Sequence, residues 1–356
     1  MKCCGIIKSD PARRMIVVSA PGRSDADPCK VTDLLIDSYA QLCFDDDATS
    51  LGKVIRRFHK LSQSLNIDMT AEIERTREEI LINRCSYDFV VSRGEYLMAI
   101  LLSKILGFKF VDAAHLVVIK PSGKPDMDAT TARFAKLDTR TGHVIPGFYG
   151  TSSTCPSPIR AFDRGGSDFS GAIAAVALKA DMYENFTDQY GVRTANPTVV
   201  DGTQNVAHLD YTTLHKLSLA GASVIFPSCL PLLAKHNIPM TIDNSFDPGV
   251  RYTTVTAKKS TKPTFSVTYQ TKNNINKDMT EIFTVWRHIN FTPNDLRNLL
   301  LRHTYYLSEF NQQAKGGDFT LLTTTDNFAH IVNDIHTLFI TSASLASTPS
   351  QSIAAT

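Results

Sequence analysis

The chain has no run of 18 apolar residues, so it holds no candidate for a membrane-spanning helix. It has no Cys-x-x-Cys pair. Its seven cysteines are scattered at positions 3, 4, 29, 43, 85, 155 and 229, which argues against a zinc site or a disulfide framework and points to the cytoplasm. An excess of charge is missing too. Lys+Arg 37 against Asp+Glu 35 leaves +2, no field for nucleic acid or an acidic membrane, and neither is expected as a partner. The first eleven residues are too short and too charged for a secretory signal. The acceptor-like triplets at Asn185 and Asn290 therefore read as chance. What is present is length and apolar content: 356 residues, 43% hydrophobic, room for a large domain and a smaller one.

Strand and helix patterns alternate from residue 14 to 255. Residues 15–20 read as a buried strand stopped by Pro21-Gly22. Residues 30–44, 51–65 and 70–81 have helical spacing. Residues 89–95 read as a strand end that breaks into a helix over 96–107, with Gly107 as its C-cap. Strands are predicted at 109–112, 115–119, 144–150, 181–185, 223–227 and 238–242, and helices at 126–137, 209–220 and 230–236, with a polar loop at 151–157. The triplet Asp45-Asp46-Asp47 reads as a solvated loop, and His115 as structural. This alternation predicts an α/β sandwich with a mainly parallel sheet and ligands beyond the carboxyl ends of its strands. Composition shifts at 251–263. A strand at 264–269, helices at 278–288 and 294–309, a strand at 319–323 and a helix at 327–339 then suggest a small α+β unit. The Ser/Ala/Thr-rich segment 342–356 reads as a disordered tail. The boundaries are 1–258, 259–341 and 342–356.

The richest stretch is Arg164-Gly165-Gly166-Ser167-Asp168, leading into a small-residue helix. The glycines permit a tight turn and close backbone approach. Ser167 or Asp168 can N-cap the helix. The first turn offers N–H groups and a positive dipole end to an anion, and Arg164 adds a fork for carboxylate or phosphate. A capped helix after a glycine turn explains the same residues. Ser19, at the end of the first strand, suits a phosphate or a turn equally well. Glu95 fits a helix first turn by its charge alone.

Several ordered blocks resemble the aspartate kinase branch of the amino-acid kinase family. They are residues 16–22 with 30–35, Ser92-Arg93-Gly94-Glu95, Pro146-Gly147-Phe148, the glycine stretch, residues 183–188, Gly221-Ala222 with Pro227, Ile238-Pro239, and residues 244–248. The likeness spans about residues 6–255 and looks most like the single-function bacterial enzymes. It implies a three-layer αβα sandwich that transfers the ATP γ-phosphoryl group to the β-carboxylate of L-aspartate, the first step towards lysine, threonine and methionine. By resemblance, Arg164 and Asp168 are catalytic. Glu95 holds the substrate ammonium, with Ser92 in the same block. Arg164 clamps a carboxylate with Ser167 beside it. Ser19, Gly165, Gly166, Thr187 and Asp188 serve ATP. Mg²⁺ is held mainly by the ATP phosphates, with no protein metal site, and a homodimer follows by analogy. The Ser92-Arg93-Gly94-Glu95 block argues against another kinase of the same family acting on glutamate, N-acetylglutamate or a nucleotide, because an acid facing the substrate suits a free ammonium group.

Departures accompany the likeness. The family opens with a K-F-G-G strand that grips phosphates, whereas here Lys2 and Gly5 are too few and too close to the helix end at residues 6–11 to replace it. The family's T-A-D-P-R reads Thr194-Ala195-Asn196-Pro197-Thr198, and its H-P reads Phe226-Pro227. Its G-T-x-I reads Tyr252-Thr253-Thr254-Val255, and the basic residue often found before H-P is Ser223. These keep a second expectation open: a catalytically impaired relative or regulatory subunit that binds aspartate or a full-length partner. The family's usual regulatory ACT domains leave room for one degenerate copy in 259–341, and a plain packing segment fits that region as well.

Overall fold

The structure, a computed structural model, describes residues 2–25, 27–45, 47–152, 158–163, 165–274, 277–301, 303, 306–313 and 316–347. Two compact units emerge, Met1–Ala180 and Asp181–Thr356.

Unit 1 runs α1 (Lys2–Lys8), β1 (Met15–Val18), α2 (Val31–Ala40) with a π-helical turn at Gln41–Asp45, α3 (Thr49–Ser64), α4 (Thr70–Ile82) and α5 (Tyr87–Leu106). It continues with β2 (Lys109–Phe110), α6 (Met127–Phe134), β3 (His143–Pro146), β4 (Tyr149–Thr151), β5 (Ile159–Ala161) and α7 (Gly166–Ala177). Three parallel strands form a sheet in the order β1-β3-β2, with Met15 and Lys109 both opposite His143. Val144 on the middle strand packs with Ala99, Leu102 and Leu106 of α5 and with Cys4 and Ile7 of α1. Its neighbour Ile145 points to the other face and is also buried. The middle strand β3 is thus buried along its whole length, while the flanking β1 is half-buried. Helices α2 to α5 share a second core around Leu35, Phe58, Ile73 and Leu97. Gly94 permits their close approach, since a Cβ there would lie 2.9 Å from Ala20 Cβ and from Val31 Cγ1.

The expected strand at 89–95 is instead part of α5, which is continuous from 87 to 106. Six successive residues, Val90 to Glu95, are buried, and a helix enclosed on all sides lacks the polar stripe that would reveal its period. Residues 115–119 fall short of a strand. They form the end of a 3₁₀ turn and two isolated bridges, Val118 to Thr151 and Ile119 to Pro125. Most of the expected loop at 151–157 lies outside the described residues.

Unit 2 runs β6 (Tyr183–Thr187), β7 (His208–Asp210), α8 (Tyr211–Leu219), α9 (Cys229–Lys235), β8 (Met240–Asn244) and β9 (Thr253–Thr256). Then follow β10 (Thr264–Asn274), β11 (Lys277–Arg287), α10 (Pro293–Leu300), β12 (Tyr306–Gln313), β13 (Gly316–Thr324) and α11 (Phe328–Ser347). Its first sheet has the order β6-β8-β9-β7, with β6 parallel to β8, β7 parallel to β9 and β8 antiparallel to β9. The second is antiparallel in the order β10-β11-β13-β12. Trp286, Phe265, Phe291, Phe319 and Phe339 fill a core between this sheet and α10 and α11.

Four expectations change in unit 2. Residues 278–288 are strand rather than helix: Ile282 and Trp286 face the aromatic core, and the β-branched and aromatic run Ile282-Phe283-Thr284-Val285-Trp286 suits a pleated surface. The helix predicted over 294–309 stops at Leu300, and β12 starts at Tyr306. Residues 223–227 form no strand, and the Phe226 carbonyl accepts from Cys229 N–H at the entry to α9. The segment 342–347, expected to be disordered, continues α11. The rest of that tail lies outside the described residues.

Candidate functional site

The carboxyl ends of β1 and β3 lie side by side. Past Val18 the chain continues into exposed Ser19, while Gly147 after β3 donates its N–H to the Val18 carbonyl at 2.9 Å. The loop beyond β1 is fastened by buried Arg57, which donates to the carbonyls of Cys29, at 2.6 Å, and Gly22. The start of α7 lies against the β3 end. A Cβ on Gly147 would sit 2.8 Å from Ser167 Cα, so only glycine lets helix and strand end meet this closely. Phe148 takes a positive φ of 77°, a costly conformation for a bulky residue. Two bonds hold it there: its N–H to Ser170 Oγ at 3.0 Å, and its carbonyl accepting from Phe162 N–H at 2.7 Å.

Neither Ser167 nor Asp168 caps α7. The N-cap is Gly165, left-handed at φ 81°, with no side-chain cap bond, and the helix begins at Gly166. Glycine is favoured because the turn needs a positive φ. Ser167 and Asp168 are half-buried in the first turn, where the helix dipole favours negative charge. Arg164 lies outside the described residues.

Glu95, on α5, is 4% exposed. It accepts from the Ala20 backbone N–H, which puts its carboxyl beside the end of β1. Its Oε2 is buried without a hydrogen-bond partner among the described residues. Burial pushes the carboxyl up to about 7, against the smaller pull of backbone bonds and of Arg93. Such a group favours a cation or a proton. Ser92 is fully buried, and its hydroxyl donates to the Phe89 carbonyl at 2.6 Å and accepts from Arg93 Nη2 at 3.0 Å. Its polar capacity is used inside α5.

Arg93 was given no site role from sequence, although it and Glu95 are the two charges in the otherwise largely apolar run 89–102. Its buried guanidinium lies 4.4 Å from the ring centroids of Phe89 and Tyr96 and 5.2 Å from that of Tyr149. Tyr149 in turn donates to Asp112 Oδ1 at 2.7 Å. This box ties α5 to β4 and fixes the helix that carries Glu95.

In unit 2, Thr187 ends β6 and Asp188 follows. The Thr187 hydroxyl donates to Asp188 Oδ1 at 3.2 Å, and its carbonyl accepts from Ser245 N–H at 2.8 Å. Asn244, a fully buried residue of the block 244–248 that was given no site role from sequence, ends the parallel neighbour β8 and donates to the Asp188 carbonyl at 3.1 Å. Tyr190, 51% exposed, lies edge-on to Tyr252. Tyr252 donates to Asp247 Oδ2 at 2.6 Å, a bond that pushes its phenol up to about 12. Asn196 is engaged locally: its Oδ1 accepts from Thr198 N–H and Oγ1, and its Nδ2 donates to the Tyr269 hydroxyl at 3.0 Å.

Ser19, Glu95, Gly165, Gly166, Ser167 and Asp168 thus gather around one end of the unit 1 sheet, and Thr187 and Asp188 stand at a strand end of unit 2. Among the described residues, no group of three or more His, Cys, Asp or Glu is placed to hold a metal ion. No described helix is long and apolar enough to cross a membrane. A cavity of about 550 Å³ in unit 2, lined among others by Thr194, His208, Lys262 and Ile340, shares no residue with these strand ends.

The profile of the amino acid kinase family matches residues 3–244. Aspartokinase 3 of Bacillus subtilis is 33% identical over 272 residues, covering 71% of this chain and 59% of that protein. The aspartokinase of Rickettsia prowazekii is 28% identical over 199 residues, covering 53% and 44%. The chain therefore spans less than two thirds of the length of these relatives. Among solved structures, Clostridium acetobutylicum aspartate kinase superposes with a TM-score of 0.77 at 23% identity, covering 95% of each chain. E. coli aspartokinase III in complex with aspartate and ADP gives 0.78 at 17%, covering 94% and 95%. At such identities these superpositions show a shared fold.

Proposed function

The chain belongs to the amino acid kinase family, and we propose that within it the protein is an aspartate kinase that makes 4-phospho-L-aspartate and ADP from L-aspartate and ATP. A β-carboxylate oxygen forms a bond to the γ-phosphorus as the bond to the ADP oxygen breaks. Catalysis of this type rests on positioning and charge neutralisation. The observation that carries the reading is Glu95, whose buried carboxylate has an oxygen without a partner among the described residues at the end of β1. An α-ammonium group supplies the missing cation and donor together.

The remaining roles follow the same chemistry. Arg164 and Ser167 take a substrate carboxylate. The uncapped start of α7, with Gly165, Gly166 and Ser19, receives phosphate oxygens, and Asp168 organises the reacting phosphate region. Thr187 and Asp188 serve the nucleotide, and Mg²⁺ arrives on the ATP phosphates. We assign residues 259–341 to a degenerate ACT-like unit, and assembly to a dimer in the cytoplasm.

A hydroxamate assay with ATP and aspartate on the purified chain tests this reading. Turnover is expected, with loss in Arg164→Ala and Asp168→Ala. Aspartate binding without turnover would instead support a binding-only relative. That second reading has its own observation in Asn196, whose side chain is taken up by a turn and by Tyr269 where the family carries an acid. Absence of aspartate binding by calorimetry would overturn both.

A further inference from the structure

The cysteines were read from sequence as scattered and unpaired, yet the fold brings two of them together. Cys43 lies in the π-helical turn Gln41–Asp45 that ends α2, and Cys85 in the connection between α4 and α5. The Cys43 thiol donates to the carbonyl of Arg84, the residue before Cys85, at 3.2 Å. The two thiols are themselves within hydrogen-bonding reach, and the Tyr39 hydroxyl meets Cys43 from the preceding turn of α2. Tyr39 also packs edge-on against Tyr87, with ring centroids 5.2 Å apart, so the end of α2 and the start of α5 are held face to face. Both cysteines are free thiols, Cys85 exposed and Cys43 half-buried. Cys3 and Cys4 adjoin in sequence within α1, where a bridge would distort the helix. Cys229 is buried.

We propose that Cys43 and Cys85 form a thiol–disulfide site that a peroxide closes reversibly. The exposed Cys85 sulfur, as thiolate, attacks one oxygen of hydrogen peroxide. The O–O bond breaks, Cys85 becomes a sulfenic acid, and the leaving hydroxide takes up a proton as water. The Cys43 sulfur then attacks the Cys85 sulfur, the S–S bond forms, the S–O bond breaks, and a second water leaves with the Cys43 proton. Two thiols are oxidised and one peroxide is reduced to two waters. Burial and the neighbouring Cys85 raise the Cys43 thiol, which keeps it protonated until the partner sulfur is activated. The bridge joins residues 42 positions apart and encloses α3 and α4, the helices of the second core. Closing such a loop restricts the unfolded chain and raises thermal stability.

The test is a thiol count and peptide map of the full-length chain. After stoichiometric hydrogen peroxide and denaturing alkylation, two of the seven thiols are expected to be lost and to return with dithiothreitol. A non-reducing tryptic digest is expected to contain residues 31–53 joined to residues 85–93, and the thermal midpoint to rise by several degrees. In Cys43→Ser, Cys85 is expected to accumulate a dimedone-trapped sulfenic acid instead. The proposal is overturned if the two peptides from oxidised wild-type protein remain separate, if Cys85 traps dimedone equally with and without Cys43, or if the bridge forms only between two chains.

Discussion

Replacing Glu95 by Gln offers the sharpest test of the site, because the structure fixes both sign and size. The carboxyl is 4% exposed, and burial moves it from an ordinary 4.5 to about 7. Between those values the folded protein holds a proton that the unfolded chain has released. Stability therefore falls as pH rises through this window and is level above it. At ~1.4 kcal/mol per pH unit, the folded state loses about 3 kcal/mol between pH 4.5 and 7. Glutamine carries no such penalty. Any fixed cost of the amide is the same at every pH, so the difference between variant and wild type isolates the charge.

The measurement is a set of thermal melts at pH 5, 6, 7 and 8, followed by circular dichroism. The variant is expected to gain on wild type as pH rises, by about 10 °C in midpoint between pH 5 and 8 for a unit of this size. Aspartate is expected to raise the wild-type midpoint at pH 8 and to leave the variant unmoved, since only the charged group has use for an ammonium. Because wild type must ionise before it binds, its apparent aspartate dissociation constant should rise about tenfold from pH 8 to pH 6. Parallel stability curves for the two proteins across this range would refute the reasoning, for they would mean that Glu95 is already charged and satisfied inside the fold.

Gly147→Ala puts a Cβ 2.8 Å from Ser167 Cα, and forcing α7 away should cost about 1–3 kcal/mol in urea unfolding and weaken aspartate binding in calorimetry. Arg93→Ala empties the box of Phe89, Tyr96 and Tyr149. It should cost on the order of 2–5 kcal/mol by urea unfolding, and Arg93→Lys less. Trp286 is the single tryptophan of the chain and is buried in the aromatic core of unit 2, so its fluorescence should report the melting of that unit. Glu95→Gln should leave the slope of that signal with pH unchanged while moving the far-ultraviolet signal of unit 1.

Where each segment's environment is decided locally, the sequence already carries the answer. Residues 70–81 alternate charge and apolar groups at helical spacing, and α4 covers Thr70–Ile82. Gly107 reads as a C-cap and takes φ 70° at the end of α5. Reading failed where tertiary burial removed the contrast on which periodicity depends. Residues 89–95 lost their polar stripe to neighbours on every side, and residues 278–288 hid a central strand, flanked by β10 just before it in sequence and by β13 further along the chain. The pairing of Cys43 with Cys85 was invisible for the same reason: nothing within either local stretch encodes the meeting of two distant turns.

The same division runs through the candidate site and explains its composition. Glu95, Gly165, Gly166, Ser167 and Asp168 were named because they stand in the short blocks 92–95 and 164–168 that resemble the family, and the fold brings those blocks to one end of the unit 1 sheet. Arg93 and Gly147 act through neighbours supplied by other elements, Arg93 through Tyr149 on β4 and Gly147 through Ser167 on α7. Both stand in blocks that resemble the family, 92–95 and 146–148, but those blocks do not show which neighbours they meet. Glu95 itself had a complete structural explanation as a first-turn acid. The fold withdraws that explanation, since α5 begins at Tyr87 and Glu95 lies past its second turn. With no helix end to favour its charge, and with one oxygen buried and unpartnered among the described residues, the acid is a net cost to the empty protein. A cationic ligand offsets that cost, and the aspartate-binding reading stands on it.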